Sequence, residues 1–147
     1  MALRLINSAR LTTVQIDAMS YQFPQSLDEW DGNWLCITGS IEAAEGAWKF
    51  RDPCLTTFEL EELANWFTNL ESEKRPCFFT EPCIHFRVVS SPAPGLELVL
   101  SHECAPPWQT GEDRLDGWAL FFPFSENSPT EMKATKAIME RFPVRNR

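Results

Sequence analysis

The stretch Asp52-Pro53-Cys54-Leu55-Thr56-Thr57-Phe58-Glu59-Leu60-Glu61-Glu62-Leu63 writes a strand end, a helix start and an acidic helix face into consecutive positions. Thr56 has the side chain of an N-cap, and Glu59 stands three positions on, the spacing of a capping box in which each residue satisfies a backbone N–H of the other. Leu55 ahead of the cap and Leu60 in the first turns are spaced as a hydrophobic staple. Leu63, Phe67 and Leu70 continue at helical spacing, so one apolar stripe is expected to face a core. The pattern predicts a central helix over about 57–71.

Upstream, Val14, Ile16 and Ala18 alternate with Gln15 and Asp17, the period of a half-buried strand, and Pro24 to Asp31 supplies loop chemistry. Leu35, Ile37, Ile41 and Ala43 share one parity, and after Ala44-Glu45-Gly46 the alternation resumes at Trp48 and Phe50. This reads as a hairpin that delivers the chain to Thr56. Downstream, Phe78 to Val89 and Leu96 to His102 flank Ser90-Ser91-Pro92-Ala93-Pro94-Gly95 as a second hairpin, Ala105 to Gly117 reads as an exposed loop, and Trp118 to Phe124 as a buried strand. Ser128-Pro129-Thr130-Glu131 has the form of a second capping box with proline at the first helical position. It opens a C-terminal helix over about 129–142, with Met132, Ile138, Met139 and Phe142 as its apolar positions and Pro143 as its stop. Strands grouped in antiparallel hairpins with two helices make an α+β fold, an antiparallel sheet packed by the central and C-terminal helices.

A chain of 147 residues has the length of a single domain, 1–147. It has 44% hydrophobic residues but no apolar run near the roughly 20 residues of a spanning helix and no apolar leader, so it reads as soluble and cytoplasmic. Cys36, Cys54, Cys77, Cys83 and Cys104 are odd in number and lack a CxxC pair, which fits reduced, packed thiols. The net charge is −8 and unevenly spread: residues 1–71 hold eleven acids and four bases, residues 72–147 ten and nine. Such a field disfavours direct nucleic-acid binding and favours a basic partner.

No GxSxG, HExxH, GxxxxGK[ST] or GxGxxG motif is present, so the corresponding hydrolase, zincin and nucleotide-binding readings lack their mechanical parts. Cys83-x-His85 and His102-x-Cys104 would form a Cys2His2 zinc site if residue 85 paired with 102. Pairing residue 86 with 102 instead aligns Ile84, Phe86 and Val88 with the apolar positions of the facing strand, placing His85 outward and His102 inward, so no metal and no cofactor is expected. A Cys-His catalytic pair using Cys36 or Cys104 is outweighed by packed thiols and hydrogen-bonded histidines. Carboxylates recur at Asp28, Glu29 and Asp31 and at Glu59, Glu61 and Glu62, where Glu59 is absorbed by the capping box and Glu61 and Glu62 are not. Trp30 and Trp108, in loops, are expected to be exposed.

Three segments together resemble a family: Asp28-Glu29-Trp30-Asp31-Gly32-Asn33-Trp34-Leu35, Asp52-Pro53-Cys54-Leu55-Thr56-Thr57-Phe58-Glu59-Leu60 and Phe79-Thr80-Glu81-Pro82-Cys83-Ile84-His85-Phe86. They are similar to WapI-type bacterial immunity proteins over roughly residues 21–86, with Cys83 and Ile84 where Asn and Leu are expected. The resemblance implies a non-enzymatic antidote that binds and occludes the toxic domain of a cognate contact-delivered toxin, a basic nuclease among the candidates. Asp28, Glu29, Trp30, Asp31, Glu61 and Glu62 are the expected contact residues. No nucleic acid or membrane partner is expected, and self-association is left open. The alternatives are a small-ligand or carbohydrate-binding module using Trp30 or Trp108 with nearby carboxylates, and an uncharacterised hydrolase.

Overall fold

The alternating segments ahead of the central helix build a four-stranded antiparallel sheet in chain order: β1 (Leu3–Asn7), β2 (Thr12–Tyr21), β3 (Trp34–Ala43) and β4 (Gly46–Thr56). The computed structural model describes residues 2–70, 72, 75–127 and 130–146, with backbone alone over 130–132. A second, three-stranded antiparallel sheet holds β5 (Ile84–Val89), β6 (Gly95–Leu100) and β7 (Trp118–Pro123). Helix α1 (Thr57–Thr68) follows β4 directly, α2 (Glu112–Asp116) precedes β7, and α3 (Thr130–Arg141) packs against α1 and β1. The architecture is α+β, as the hairpin pattern implies, with its strands divided between two sheets.

Period-two burial sets each register. Leu5, Val14, Ile41 and Trp48 form one row across the first sheet, and Leu3, Ile16, Gly39 and Phe50 the next, all turned to the core. The Phe50 ring fills the space over Gly39, where a Cβ would stand 2.0 Å from it. Between the pairs Ile37↔Asp52 and Leu35↔Leu55, β4 carries one residue more than β3, so Pro53 and Cys54 oppose Cys36 in a bulge. Proline has no N–H to give the ladder and is tolerated there. The bulge shifts the side-chain phase and leaves Cys54, Leu55 and Thr56 all buried as the helix begins.

The capping box forms. Thr56 Oγ1 accepts from the Glu59 N–H at 3.2 Å, and Glu59 Oε1 accepts from the Thr56 N–H at 2.9 Å. Glu59 Oε2 also accepts from the Thr80 N–H at 2.6 Å, so one buried carboxylate joins β4, α1 and the segment leading to β5. Leu60, Leu63, Trp66 and Phe67 face the core, where Trp66 and Phe67 meet Phe86 of β5. The two sheets are pinned together by Asn127, whose side-chain amide accepts from the Ile6 N–H and donates to the Ile6 and Pro123 carbonyls.

The structure departs from the sequence reading in five places. β1 goes unread because Leu3 and Leu5 are only two alternating positions before a turn. The central helix stops at Thr68 with Asn69 as its cap, short of 71. The loop at 105–117 contains the single helical turn α2. The second hairpin pairs Phe86 with Leu98 and Ile84 with Leu100, four residues away from the expected register but with the same face inward. Its cause is that β6 ends at Leu100, and Ser101 to Cys104 turns away through His102 at φ 51°. The C-terminal helix ends at Arg141, one residue short of 142, while the Ser128-Pro129 cap lies outside the described residues.

Glu59→Ala leaves the buried Thr56 N–H without its carboxylate acceptor and releases the Thr80 N–H, on an exposed residue, from the same carboxylate. It is expected to lower unfolding free energy by about 2–4 kcal/mol in urea denaturation, and Glu59→Gln by clearly less, since its amide oxygen still accepts.

Candidate functional site

The loop between β2 and β3 holds four of the six expected contact residues and is braced at every turn. Asp28 Oδ2 accepts from the Trp30 and Asp31 N–H groups at 2.8 and 2.7 Å, closing a tight turn with the chain's own carboxylate. Asn33, fully buried, satisfies all its side-chain hydrogen-bonding capacity. Its amide donates to the carbonyls of Glu29 at 2.6 Å and Arg145 at 2.8 Å, and its oxygen accepts from the Thr57 hydroxyl at 2.7 Å and the Arg145 N–H at 2.8 Å. The loop, the start of α1 and the C-terminal segment thus meet at one amide.

Arg145 completes the brace. Its guanidinium lies 3.7 Å above the Tyr21 ring and donates to the carbonyls of Phe23, Pro24 and Gly32. Tyr21 in turn donates its hydroxyl proton to the Pro143 carbonyl at 2.6 Å. Burial pushes the Tyr21 phenol up, with the Arg145 charge acting against it. Asn146 donates to the Ser26 and Asp28 carbonyls.

What this loop presents is apolar and acidic together. Leu27 is 88% exposed, Trp30 47% and Phe23 45%, beside the exposed carboxylates of Asp28, Glu29 and Asp31. Trp30 rests edge-on against the buried Trp34, with ring centroids 5.4 Å apart, so its indole is held rather than free to turn. Among the described residues no salt bridge engages Glu29 or Asp31.

Glu61 and Glu62 lie on α1. Glu62 is exposed and lines a groove of about 380 Å3 with Asn65, Trp66, Asn69, Arg75 and Phe78, a different surface from the braced loop. Partial cover and the Glu59 charge raise its carboxyl above the usual range. Arg145, Leu27 and Phe23 were invisible to sequence patterning: a basic residue near a chain end and two isolated apolar residues carry no periodicity. The Asp-x-Trp-Asp turn was the one local signal present.

The four residues of the hypothetical Cys2His2 site do not converge as such. His85 stacks on Phe78 with centroids 4.9 Å apart, and burial with the neighbouring Arg87 lowers its pKa. His102 Nδ1 lies 2.9 Å from the Ser101 hydroxyl, whose proton goes to the Pro82 carbonyl at 2.7 Å, so this histidine is not placed to activate a nucleophile. Cys83 and Cys104 gather instead with Cys54, Asp52 and Glu103. Trp108 is exposed, as expected, and its ring meets Trp48 and Trp118 edge-on.

Fold and surface together define an α+β protein that offers a rigid loop of mixed apolar and acidic character. The chain belongs to the WapI-like immunity protein family, whose model matches residues 4–143. No curated protein and no solved structure matches it. No helix among the described residues is long and apolar enough to cross a membrane.

Arg145→Ala removes the guanidinium from three carbonyls at once. Amide hydrogen exchange at Gly32 and Asn33 is expected to speed up by about tenfold, with amides of β5 and β6 unchanged. A further expectation concerns Asp52, whose carboxyl is raised by burial and then by the charges of Glu103 and Glu81. Its ionised form is therefore the costly one in the fold: its stabilisation is full below the unfolded pKa and lost as pH rises through the folded one. Asp52→Asn should melt higher than wild type at neutral pH in chelator-containing buffer, with the gap closing as pH falls toward 3.8.

Proposed function

We propose that the protein neutralises a cognate bacterial toxin by occupying its surface, without catalysis by its own residues, and that the toxin's contact face is basic, as a nuclease's phosphate-gripping surface would be. The observation that carries this reading is the 23–31 loop: three exposed apolar side chains and three exposed carboxylates on a backbone fixed by Asn33, Arg145 and Asn146. Interface energy concentrates in rigid aromatic anchors ringed by polar groups, and preorganisation spares the entropy of ordering the loop on binding. Trp30 is the anchor, Leu27 and Phe23 extend the apolar contact, and Glu29 and Asp31 supply charge complementarity. Asp28 acts mainly by shaping the turn, because its carboxylate already accepts two backbone hydrogen bonds.

The acidic field of the whole chain, −8, steers a basic partner toward this face and sets the encounter rate more than the final affinity. Glu61 and Glu62 are assigned to the same recognition as outer contacts on α1. The partner reading places the protein in the compartment where the toxin arrives, the cytoplasm of a bacterium.

The test is binding to the toxin domain expected among the products of the neighbouring genes, by calorimetry and stopped-flow. Trp30→Ala is expected to weaken binding by about thirtyfold, roughly 2 kcal/mol, mainly through faster dissociation. Glu29→Lys with Asp31→Lys is expected to slow association by about tenfold and flatten its salt dependence, with little change in dissociation. Unchanged binding in both variants would remove the loop from the interface, and absence of any complex would overturn the immunity mechanism itself.

A further inference from the structure

Three buried thiols and two carboxylates from three separate segments converge beneath the end of the first sheet. Asp52 and Cys54 come from the bulged end of β4, Cys83 from the residue before β5, and Glu103 and Cys104 from the turn after β6. Cys83 Sγ lies 3.2 Å from Glu103 Oε2 and 3.9 Å from Asp52 Oδ2, and the three ligand atoms stand within 4.8 Å of one another. The Cys104 thiol interacts with those of both Cys54 and Cys83. Cys54, Cys83 and Cys104 are each at most 1% exposed, while Asp52 is half-buried and Glu103 exposed, so the cluster is closed on its sulfur side and open on its oxygen side.

Hydrogen bonding alone leaves this arrangement unbalanced. Cys83 has one proton for two carboxylates; Glu103 holds the shorter contact and Asp52 the longer. Asp52 is further crowded by the Glu81 charge. The Arg114 charge near the cluster acts on Glu103. The Arg114 guanidinium itself is spent on backbone, donating to the carbonyls of His102, Ala105, Pro106 and Gln109. The effect is to fix the turn that carries Glu103 and Cys104. The same turn is held by the Trp48 indole donating to the Cys104 carbonyl at 3.0 Å and by the Ser101 N–H donating to the Cys83 carbonyl at 2.9 Å. Such a second layer of hydrogen bonds is what orients ligands around a metal.

We propose that Asp52, Cys83, Glu103 and Cys104 bind one divalent cation of zinc type, with Cys54 as the thiol packed behind Cys104. Mixed sulfur and oxygen donors in a four-ligand set suit a borderline-soft, tetrahedral ion. Bond lengths of about 2.3 Å to sulfur and 2.0 Å to oxygen put neighbouring ligand atoms about 3.3–3.8 Å apart, so Asp52, Cys83 and Glu103, whose ligand atoms already lie within 4.8 Å of one another, close on an ion with small movements, and Cys104 moves in from behind to complete the set. Binding displaces the protons of the two thiols, whose loss the cation compensates, and it neutralises the unpaired Asp52. Affinity therefore falls as pH is lowered, because protons compete with the cation for the thiolates.

The experiment titrates the reduced, chelator-stripped full chain with Zn2+ and, as a spectroscopic probe, Co2+. The expected result is one equivalent bound, a thiolate-to-cobalt charge-transfer band with tetrahedral visible bands, and a higher Tm with Zn2+. Cys83→Ala and Cys104→Ala should lose the charge-transfer intensity in part or whole, and Asp52→Asn, which keeps every thiol, should weaken binding by about tenfold or more. Cys36→Ala, outside the cluster, should bind as wild type. No charge-transfer band at one equivalent, an undiminished band in Cys83→Ala, or a disulfide among Cys54, Cys83 and Cys104 in protein purified without oxidant would each overturn the site. Toxin binding plays no part in these readouts, so the metal site and the immunity mechanism stand or fall separately.

Discussion

The Glu59 carboxylate is the joint on which this fold turns. A buried carboxylate is tolerated only when hydrogen bonds replace its water, and each donor Glu59 finds belongs to a different element: the Thr56 backbone where β4 ends and the Thr80 backbone where the second sheet's chain approaches. One helical turn therefore fixes the angle between the first sheet and α1 and the distance of the second sheet from both. The neighbouring Thr57 hydroxyl extends the joint to Asn33, and through Asn33 to the functional loop and the C-terminal segment. The β2–β3 loop is thus coupled mechanically to the core, although its tip is on the surface.

This joint was legible in sequence because it is local. A cap, an acceptor three residues on and an apolar stripe at helical spacing lie within one window, and the rows Val14-Ile16-Ala18 and Ile37-Ile41 obey a period of two with no tertiary help. What sequence missed depends on distance. Parity told which face of β5 and β6 turns inward, but absolute register depends on where β6 stops, and the positive φ of His102 that stops it has no proline or glycine to announce it. Arg145 sits 113 to 122 residues from the carbonyls it braces, and backbone carbonyls carry no side-chain identity to read. The cysteines were read in pairs with neighbouring histidines, whereas the fold gathers Cys54, Cys83 and Cys104 from three segments and gives both histidines other partners.

The fold divides the acids among tasks. Glu59 is consumed by the helix start, Asp28 by a turn, Glu103 by a thiol and Asp17 by an ion pair with Arg141. A count of negative charge thus overstates the number of carboxylates available to a partner. Glu29 and Asp31 remain outward and unengaged by salt bridges among the described residues, and they flank the largest exposed aromatic of the loop.

On the proposed immunity reading, that division also explains how one small acidic protein would be both steered and selective. Long-range attraction depends on the summed charge and is shared by any basic surface, so it speeds encounter without choosing among partners. Choice has to come from short-range fit, and the β2–β3 loop offers surface for it: Trp30 fixed on Trp34, Leu27 standing almost wholly in solvent, and a backbone that Arg145 and Asn146 brace beneath them. A partner that lacks a matching apolar recess would desolvate Glu29 and Asp31 without burying the ring between them, and would be rejected for that reason.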